Sequence, residues 1–359
     1  MGLLAAKSTN STSKLTREPM KYHGSLDQYR QFQVTPVLGT EFTELQVADL
    51  LSDSEKLRDL AVLTSQRGVL FFRNQKLTPE QQKFLTNELG RLTGKPETST
   101  LHKHPIYSEQ DGAPVDGNGN RDPNVLPITS EVTRKLFSEW WTEIPPLASK
   151  TWHSDIAYEK VPTDYSTLYA IKTPEDGSGG DTIWASCYEA YDKLSLPMRE
   201  FLDGIHAMHD IRSTIKSVQA RGHKPADKTG APENINTDYK TVHPIIRTNP
   251  VTGWKCIFGV GGSLMNGGLE GVTKEESDIL CQYLFRLHVE NHDLQARLRW
   301  GQNDLALWDN RCCIHTGTND YKGKRQANLV MGLGEAPYFD PSSKSRREAL
   351  VKDSLSATQ

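Results

Sequence analysis

The chain has 359 residues, of which 36% are apolar and 24% charged, so it can bury a core and is not a disordered polypeptide. A net charge of −3, from 42 basic and 45 acidic residues, argues against a dedicated nucleic-acid surface, because phosphate binding favours a strongly basic field. No apolar run is long enough for a transmembrane helix, and the first residues do not resemble a signal peptide. Five irregularly spaced cysteines favour a reducing compartment, so we expect no membrane association and a cytoplasmic location.

The first predicted elements follow a polar segment. Residues 1–30 show no hydrophobic period and are predicted to form a flexible N-terminal arm. The apolar spacing over 41–63 predicts a helix, and the apolar run at 68–73 predicts a buried strand. The sequence Thr-Pro-Glu-Gln at 78–81 predicts the capped start of a second helix.

Two long polar segments interrupt the rest of the chain. One, rich in Asp, Gly, Asn and Pro, begins an insertion at 108–150 that is typical of a lid, and the other is a loop at 213–237. The amphipathic pattern over 273–292 predicts a helix. Short strand-like runs occur at 166–171, 182–185, 206–211, 242–246, 254–260, 298–300, 304–308 and 328–333.

Many short strands with peripheral helices predict a mainly β core of sandwich or barrel type. We expect one domain at 31–341, followed by a polar C-terminal tail at 342–359. The glycine-rich run at 259–268 lacks the Lys of a phosphate-binding loop, and we expect a turn near the mouth of a pocket there.

The sequence Trp-His-Ser-Asp at 152–155 is the most informative chemical pattern. If it lies in a strand, His153 and Asp155 project from the same face and can occupy two adjacent positions on a metal. His315, between an apolar strand and a polar turn, is the best third ligand. Two histidines and one carboxylate form the facial triad of non-heme Fe(II). Taken alone the pattern is weak, because a core histidine beside a capping aspartate gives the same residues.

A basic residue follows the candidate triad. Arg325 lies ten residues after His315, and its guanidinium can bind a carboxylate through two hydrogen bonds. An exposed basic turn at 322–325 is the structural alternative, and charge pattern alone favours it.

Five strings, taken in order and at their distances, resemble the taurine/2-oxoglutarate dioxygenase (TauD/TfdA-type) family of Fe(II) enzymes, and within it the fungal sulfonate-dioxygenase-like branch. They lie at 68–73, 101–107, 152–155, 179–186 and 308–338. The resemblance covers residues 35–341 and implies a double-stranded β-helix, or jelly roll, of the 2-oxoglutarate dioxygenase type.

The resemblance also implies roles for individual residues. His153, Asp155 and His315 match the iron ligands and catalytic triad of the family. Thr182 and Arg325 match the hydroxyl and the guanidinium that bind the distal carboxylate of 2-oxoglutarate. The implied cofactor is Fe(II), with 2-oxoglutarate and O₂ as cosubstrates.

Four positions match substrate contacts of the family. His104, a donor that is cationic when protonated, and Tyr107 match residues that contact the prime substrate, and Ser149 stands where taurine-type members have Asn. Leu329 replaces a second arginine that binds the anionic head of sulfonates. A buried anion without a partner is costly, so the resemblance favours a less charged substrate.

We therefore expect an iron- and 2-oxoglutarate-dependent dioxygenase that oxidises an unactivated C–H bond of a small polar molecule and releases succinate and CO₂. Hydroxylation, desaturation and oxidative cyclisation stay open, as does the oligomeric state, a homo-oligomer included. The alternatives are a sulfonate dioxygenase that releases sulfite, with Lys150 or Arg311 supplying the missing charge, a zinc hydrolase on the same triad, and a non-catalytic barrel.

Overall fold

The computed structural model describes residues 18–104, 112, 114–115, 119–131, 147–175, 177–220, 222, 224–226, 228–235 and 238–356, with 352–356 as backbone only. Tyr107 and much of the 108–150 insertion lie outside these residues. In the described ranges, no helix has both the length and the apolar character needed to cross a bilayer.

Short strands make up the centre of the molecule. In chain order they are β1 (Gln31–Gln33), β2 (Thr40–Phe42), β3 (Val69–Phe72), β4 (Leu126–Thr129), β5 (Thr163–Lys172), β6 (Thr182–Ser186), β7 (His206–Asp210), β8 (Lys240–Pro244), β9 (Ile246–Thr248), β10 (Lys255–Ile257), β11 (Gly268–Leu269), β12 (Gln295–Leu298), β13 (Leu305–Asp309), β14 (Cys313–Gly317) and β15 (Gln326–Leu333).

The strands form one large sheet and several small ones. The main sheet has the order β1-β2-β3-β13-β5-β15-β4, and its pairs are antiparallel except β2 with β3. A second sheet has the order β12-β6-β14, and smaller sheets join β11-β7-β8 and β10-β9. The prediction of a mainly β core with peripheral helices is confirmed.

The central strands of the main sheet are buried on both faces. Successive residues of a strand point to opposite faces, so β5 contributes Tyr165 and Tyr169 to one apolar layer and Leu168 and Ala170 to another. The second layer fills the space between the main sheet and β12-β6-β14. Burial on both faces explains why β3 and most of β13 read as continuous apolar runs in the sequence.

Helices surround the sheets. They are α1 (Ser54–Arg67), α2 (Pro79–Leu92), α3 (Cys187–Asp192), α4 (Leu196–Leu202), α5 (Arg212–Ala220), α6 (Gly262–Gly267), α7 (Lys274–Val289) and α8 (Arg346–Ser356), with 3₁₀ turns at Val47–Leu50, Ala148–Thr151 and His292–Leu294. Helices α1 and α2 cover the outer face of the main sheet. The predicted capping box of α2 is confirmed, because Thr78 and Gln81 each accept the backbone N–H of the other.

The prediction of a flexible arm at 1–30 is wrong for its described part. Leu26 is fully buried in the layer that α1 covers. The Asp59 carboxylate of α1 accepts the backbone N–H groups of His23 and Ser25, and the N–H of Met20 donates to the carbonyl of Val251. The segment is held by backbone hydrogen bonds and one leucine, which leave no periodic signal in the sequence.

Three other segments predicted as loop or tail contain regular structure. β4 lies inside the 108–150 insertion, α5 covers the first part of the 213–237 loop, and α8 lies in the predicted 342–359 tail. Within the described residues β4 is the last strand of its sheet and pairs with β15 alone, so it tolerates a proline that would be excluded from a central strand. Pairing with distant strands, and not local propensity, gives such short segments their structure.

The burial of Leu26 makes a stability prediction. Leu26→Ala should lower the free energy of unfolding by about 2–5 kcal/mol, the usual cost of truncating a buried leucine. Denaturant unfolding measures it, with Phe32→Ala as the control, because the Phe32 side chain is half exposed and should cost much less. A change in the free energy of unfolding within about 0.5 kcal/mol of zero would show that Leu26 does not hold this segment to the core, as expected for a flexible arm.

Candidate active site

His153 and His315 are joined through their backbones. The N–H of each donates to the carbonyl of the other at 2.9 Å, in an isolated antiparallel bridge. Opposed residues of a bridge project to the same face, and the two imidazole rings lie 4.3 Å apart. The predicted strand at this point is therefore a single bridge, and the chain turns immediately after it.

Asp155 completes the cluster. Its Oδ1 lies 3.5 Å from Nε2 of His153 and 3.8 Å from Nε2 of His315, and its Oδ2 accepts the hydroxyl of Ser166 at 3.2 Å. One ligand atom from each of the three residues lies within 4.8 Å of the others. Three donors at such distances can bind one metal ion.

The tautomer of His153 suits metal binding. Its Nδ1 lies 2.8 Å from the carbonyl of Thr151, which can only accept, so Nδ1 carries a proton and Nε2 faces the cluster. Burial lowers the pKa of His153, but Asp155 and the Thr151 carbonyl outweigh it and raise this pKa. Its side chain is about half exposed, whereas the side chain of His315 is 10% exposed. The cluster is therefore accessible from the His153 side and closed behind His315.

The charge states also suit metal binding. Burial would raise the pKa of Asp155, but the neighbouring histidines and the Ser166 hydrogen bond outweigh it and lower this pKa to about 2. Burial lowers the pKa of His315 to about 3 despite the nearby carboxylate. At neutral pH the pair therefore offers a carboxylate and a neutral imidazole, which are the forms that coordinate metals.

Indole rings surround His315. Trp308 lies 5.0 Å and Trp184 6.4 Å from its ring, measured between centroids, and Trp300 lies 6.5 Å from Trp184. All three are buried. This layer excludes water behind the cluster, which strengthens electrostatic interactions in front of it.

Arg325 immediately precedes β15 and lies against the turn before β6. A Cβ on Gly180 would be 3.1 Å from Cδ of Arg325, and the φ of +68° at Gly180 favours glycine there. Burial lowers the pKa of Arg325, and within the described ranges its guanidinium has neither a hydrogen bond nor an ion pair. Asp181, which follows Gly180, is bound instead to Arg297 at 2.7 Å. A partly buried cation in this state is suited to bind an anionic ligand.

Thr182 is the first residue of β6, directly after the turn that contains Gly180, and it offers a hydroxyl proton. It shares a face of the strand with Trp184, which is paired with His315. Its oxygen accepts the indole N–H of Trp300 at 3.0 Å, and in the part of the chain that the structure covers its own proton has no acceptor. Thr182 is thus set to donate a hydrogen bond to a ligand.

The predicted substrate residues have different outcomes. His104 lies edge-on to the ring of His102, 5.8 Å away, and burial lowers its pKa well below the ordinary histidine value, so it is neutral. Ser149 lies in the 3₁₀ turn before His153 and is partly exposed. The Tyr107 prediction falls outside the described residues.

Leu329 lies in an apolar wall. It is buried on β15, opposite Leu126 of β4 and Leu168 of β5. Arg311 cannot replace the missing arginine, because it is fully buried and bound to Asp309 at 2.8 Å. Lys150 is exposed in the 3₁₀ turn beside Ser149.

Sequence reasoning missed several residues at the site. Ser166, Thr151 and Trp300 bind the predicted residues directly, and Asn310 binds the backbone of Asp155. The only available signal was their proximity in sequence to the chemical strings. The expected turn at 259–268 contains the short helix α6. Gly261 lies against His153, because a Cβ placed on Gly261 would be 2.8 Å from the Cα of His153.

Comparison with known proteins identifies the family. A family model described as taurine catabolism dioxygenase TauD, TfdA family matches residues 30–332. The chain belongs to this family. It is 41% identical to the alpha-ketoglutarate-dependent dioxygenase btcD of Neocamarosporium betae, over 93% of this chain and 99% of that protein. It is 31% identical to the alpha-ketoglutarate-dependent sulfonate dioxygenase of Saccharomyces cerevisiae, over 88% of this chain and 69% of that protein.

A solved taurine dioxygenase from Burkholderia xenovorans has a similar fold. The TM-score is 0.62 at 23% identity, and the match covers 88% of this chain and 92% of that one. The TauD/TfdA-family chain is therefore a 2-oxoglutarate-dependent non-heme iron dioxygenase, and the family uses Fe(II), 2-oxoglutarate and O₂. The predicted family, enzyme class and cofactors are confirmed, and the comparisons give no support to the zinc hydrolase or the non-catalytic barrel.

The donor set fits this cofactor. Two imidazole nitrogens and one carboxylate are the ligands of a facial triad, and the partners of His153 and Asp155 leave the coordinating atoms free.

Proposed function

We propose that this dioxygenase hydroxylates, desaturates or cyclises a small, weakly charged molecule at a C–H bond, with His153, Asp155 and His315 as the iron ligands. The convergence of these three donors within 4.8 Å is the observation that carries the proposal. Fe(II) held there supplies the chemistry that couples O₂ to the oxidative decarboxylation of 2-oxoglutarate and to substrate oxidation.

The cosubstrate site follows from the unpaired donors near the triad. Among the described residues, Arg325 provides a partly buried guanidinium without a bound carboxylate, and Thr182 provides a hydroxyl proton without an acceptor. We assign both to the distal carboxylate of 2-oxoglutarate. Trp300 fixes the direction of the Thr182 hydroxyl, because its N–H occupies the oxygen and leaves the proton to point elsewhere. A hydrolase has no use for this pair of donors.

The substrate class follows from the wall that contains Leu329. Leu126 and Leu168 flank it, so this part of the pocket offers van der Waals contact and no charge. His104, whose ring lies 5.8 Å from that of His102, is a neutral donor or acceptor. Such a surface suits an amino acid or a small natural product with an apolar portion. Fungal relatives at 38–41% identity are named only as alpha-ketoglutarate-dependent dioxygenases.

A sulfonate substrate is the second candidate. Relatives from Saccharomyces cerevisiae and Schizosaccharomyces pombe, both 31% identical, are named sulfonate dioxygenases, the second putatively. The buried Leu329 and the internally paired Arg311 argue against it, since neither can bind an anionic head group.

The remaining assignments are also proposals. The two facing sheets support a double-stranded β-helix, and the match over residues 30–332 supports one catalytic domain at 31–341. The cysteines, all five of which are free and buried, are consistent with a cytoplasmic protein.

Removal of the Arg325 guanidinium tests the cosubstrate site. Arg325→Ala should weaken 2-oxoglutarate binding by one to two decades, because a charge-assisted hydrogen bond contributes about 1.5–3 kcal/mol. Calorimetric titration of the Mn(II)-loaded protein without O₂ measures it and needs no prime substrate. Binding of 2-oxobutyrate, which lacks the distal carboxylate, should change little.

The control for this experiment is Lys324→Ala. Lys324 is an exposed neighbour that pairs with Glu131, so its removal should leave 2-oxoglutarate affinity unchanged. Equal affinity of Arg325→Ala and wild-type protein for 2-oxoglutarate would remove Arg325 from the site.

A substrate panel tests the pocket wall. With Fe(II), ascorbate, 2-oxoglutarate and air, taurine and alkylsulfonates should release little sulfite, and uncharged or zwitterionic molecules should stimulate succinate formation more strongly. Leu329→Arg, which restores a cation, should gain taurine-dependent succinate formation by about one to two decades, whereas Leu329→Met should not. Sulfite release by the wild type at the rate of a dedicated sulfonate dioxygenase would contradict the proposed substrate class.

A further inference from the structure

The side chain of Asn310 binds both backbone groups of Asp155. Its Oδ1 accepts the Asp155 N–H at 3.0 Å, and its Nδ2 donates to the Asp155 carbonyl at 3.0 Å. The two backbone groups require one acceptor and one donor, so the carboxamide fits in only one orientation. Asn310 and Asp155 are both buried, so water does not compete for these bonds.

The residue after Asp155 has an unusual backbone. Ile156 has a φ of +44°, a left-handed conformation that β-branched residues rarely adopt. Its side chain is buried in a small apolar cluster with Val161, Ala231 and Leu333. Such a conformation persists only where surrounding contacts impose it. The hydrogen bonds of Asn310 to the adjacent Asp155 backbone are the contacts that act directly at the carboxylate-bearing residue.

Asn310 is itself held in place. It lies in the turn between β13 and β14, and its N–H donates to the carbonyl of Asp164 at 2.8 Å. The hydroxyl of Ser154 donates to its carbonyl at 3.3 Å. Strand β14 begins just after this turn and contains His315, so Asn310 lies close in sequence to a second residue of the triad.

We propose that Asn310 is a positioning residue for iron binding, which holds the Asp155 backbone against the left-handed turn at Ile156 and so aims the carboxylate at the two histidines. With the backbone fixed and Oδ2 bound to Ser166, Oδ1 is left facing the two Nε2 atoms. This inference rests on the proposed role of the triad. Removal of the Asn310 side chain should weaken metal binding about 10–100-fold, as does the loss of other residues that hydrogen-bond to metal ligands.

The chain provides a matched control. Asn234 is also buried, and it makes the same pair of hydrogen bonds to the backbone of Val161, each at 2.9 Å. Val161 is no ligand of the triad. Asn310→Ala and Asn234→Ala therefore lose the same number and type of hydrogen bonds, and they should lower the thermal unfolding temperature by similar amounts.

The test measures Mn(II) affinity, by electron paramagnetic resonance of free Mn(II), beside unfolding temperature. We expect Asn310→Ala to bind Mn(II) about 10–100-fold more weakly than wild type and Asn234→Ala to bind it within about threefold. Equal affinity of Asn310→Ala and wild type would overturn the positioning role, as would an equal loss in both variants. Failure of the wild type itself to bind Mn(II) would contradict the proposed function on which the inference rests.

A second measurement needs no variant, so it decides the question even if Asn310→Ala fails to fold. In the metal-free wild type the Asp155 amide should exchange with solvent slowly, because Asn310 already accepts it, and Mn(II) should change that rate little. Fast exchange that becomes slow only with Mn(II) would show that the metal, and not Asn310, orders this segment, and would overturn the proposal.

Discussion

The backbone bridge between His153 and His315 is the contact on which the site depends. Two hydrogen bonds of 2.9 Å bring together residues from distant parts of the chain and fix both imidazoles on one face. The bridge exists because β14 pairs with β6, which places His315 opposite Trp184 and closes the space behind it. Once the two rings are fixed, the turn that follows His153 needs to place only one carboxylate.

Charge balance distinguishes the parts of the pocket. Arg311 and Asp309 are fully buried but satisfy each other, so they stabilise the turn before β14 and remain unavailable to ligands. Arg325 is partly buried without a counter-ion in the described chain, and the triad contributes only one negative charge, from Asp155. A dianion that binds the metal at one end and Arg325 at the other satisfies both requirements, and 2-oxoglutarate has this form.

Residue types and order predicted a cluster of donors, but not how the fold supports it. The pattern of His153, Asp155 and His315 predicted three side chains whose donor atoms lie within 4.8 Å of one another, whereas the role proposed for Arg325 came from the family resemblance and not from its charge pattern. The strand expected at 152–155 is a bridge followed by a strained turn, because Asn310, remote in sequence, fixes the Asp155 backbone. Ordinary residues such as Asn310 carry no signal until their long-range partners are known.

The same limit applies to the fold. The apolar runs of the central strands were visible in the sequence because those strands are buried on both faces. The segment around Leu26 and the edge strand β4 were not visible in the sequence, because each depends on backbone hydrogen bonds with a distant element. Local polarity in these segments indicated loops, and tertiary hydrogen bonds determined the outcome.

The most direct test of the account is a crystal structure with Mn(II) and the 2-oxoglutarate analogue N-oxalylglycine. The account predicts one metal ion about 2.0–2.3 Å from Nε2 of His153, Nε2 of His315 and a carboxylate oxygen of Asp155. It also predicts that the distal carboxylate of the analogue lies within hydrogen-bond distance of Arg325 and Thr182. A metal bound elsewhere, or an analogue whose far carboxylate contacts neither residue, would contradict it.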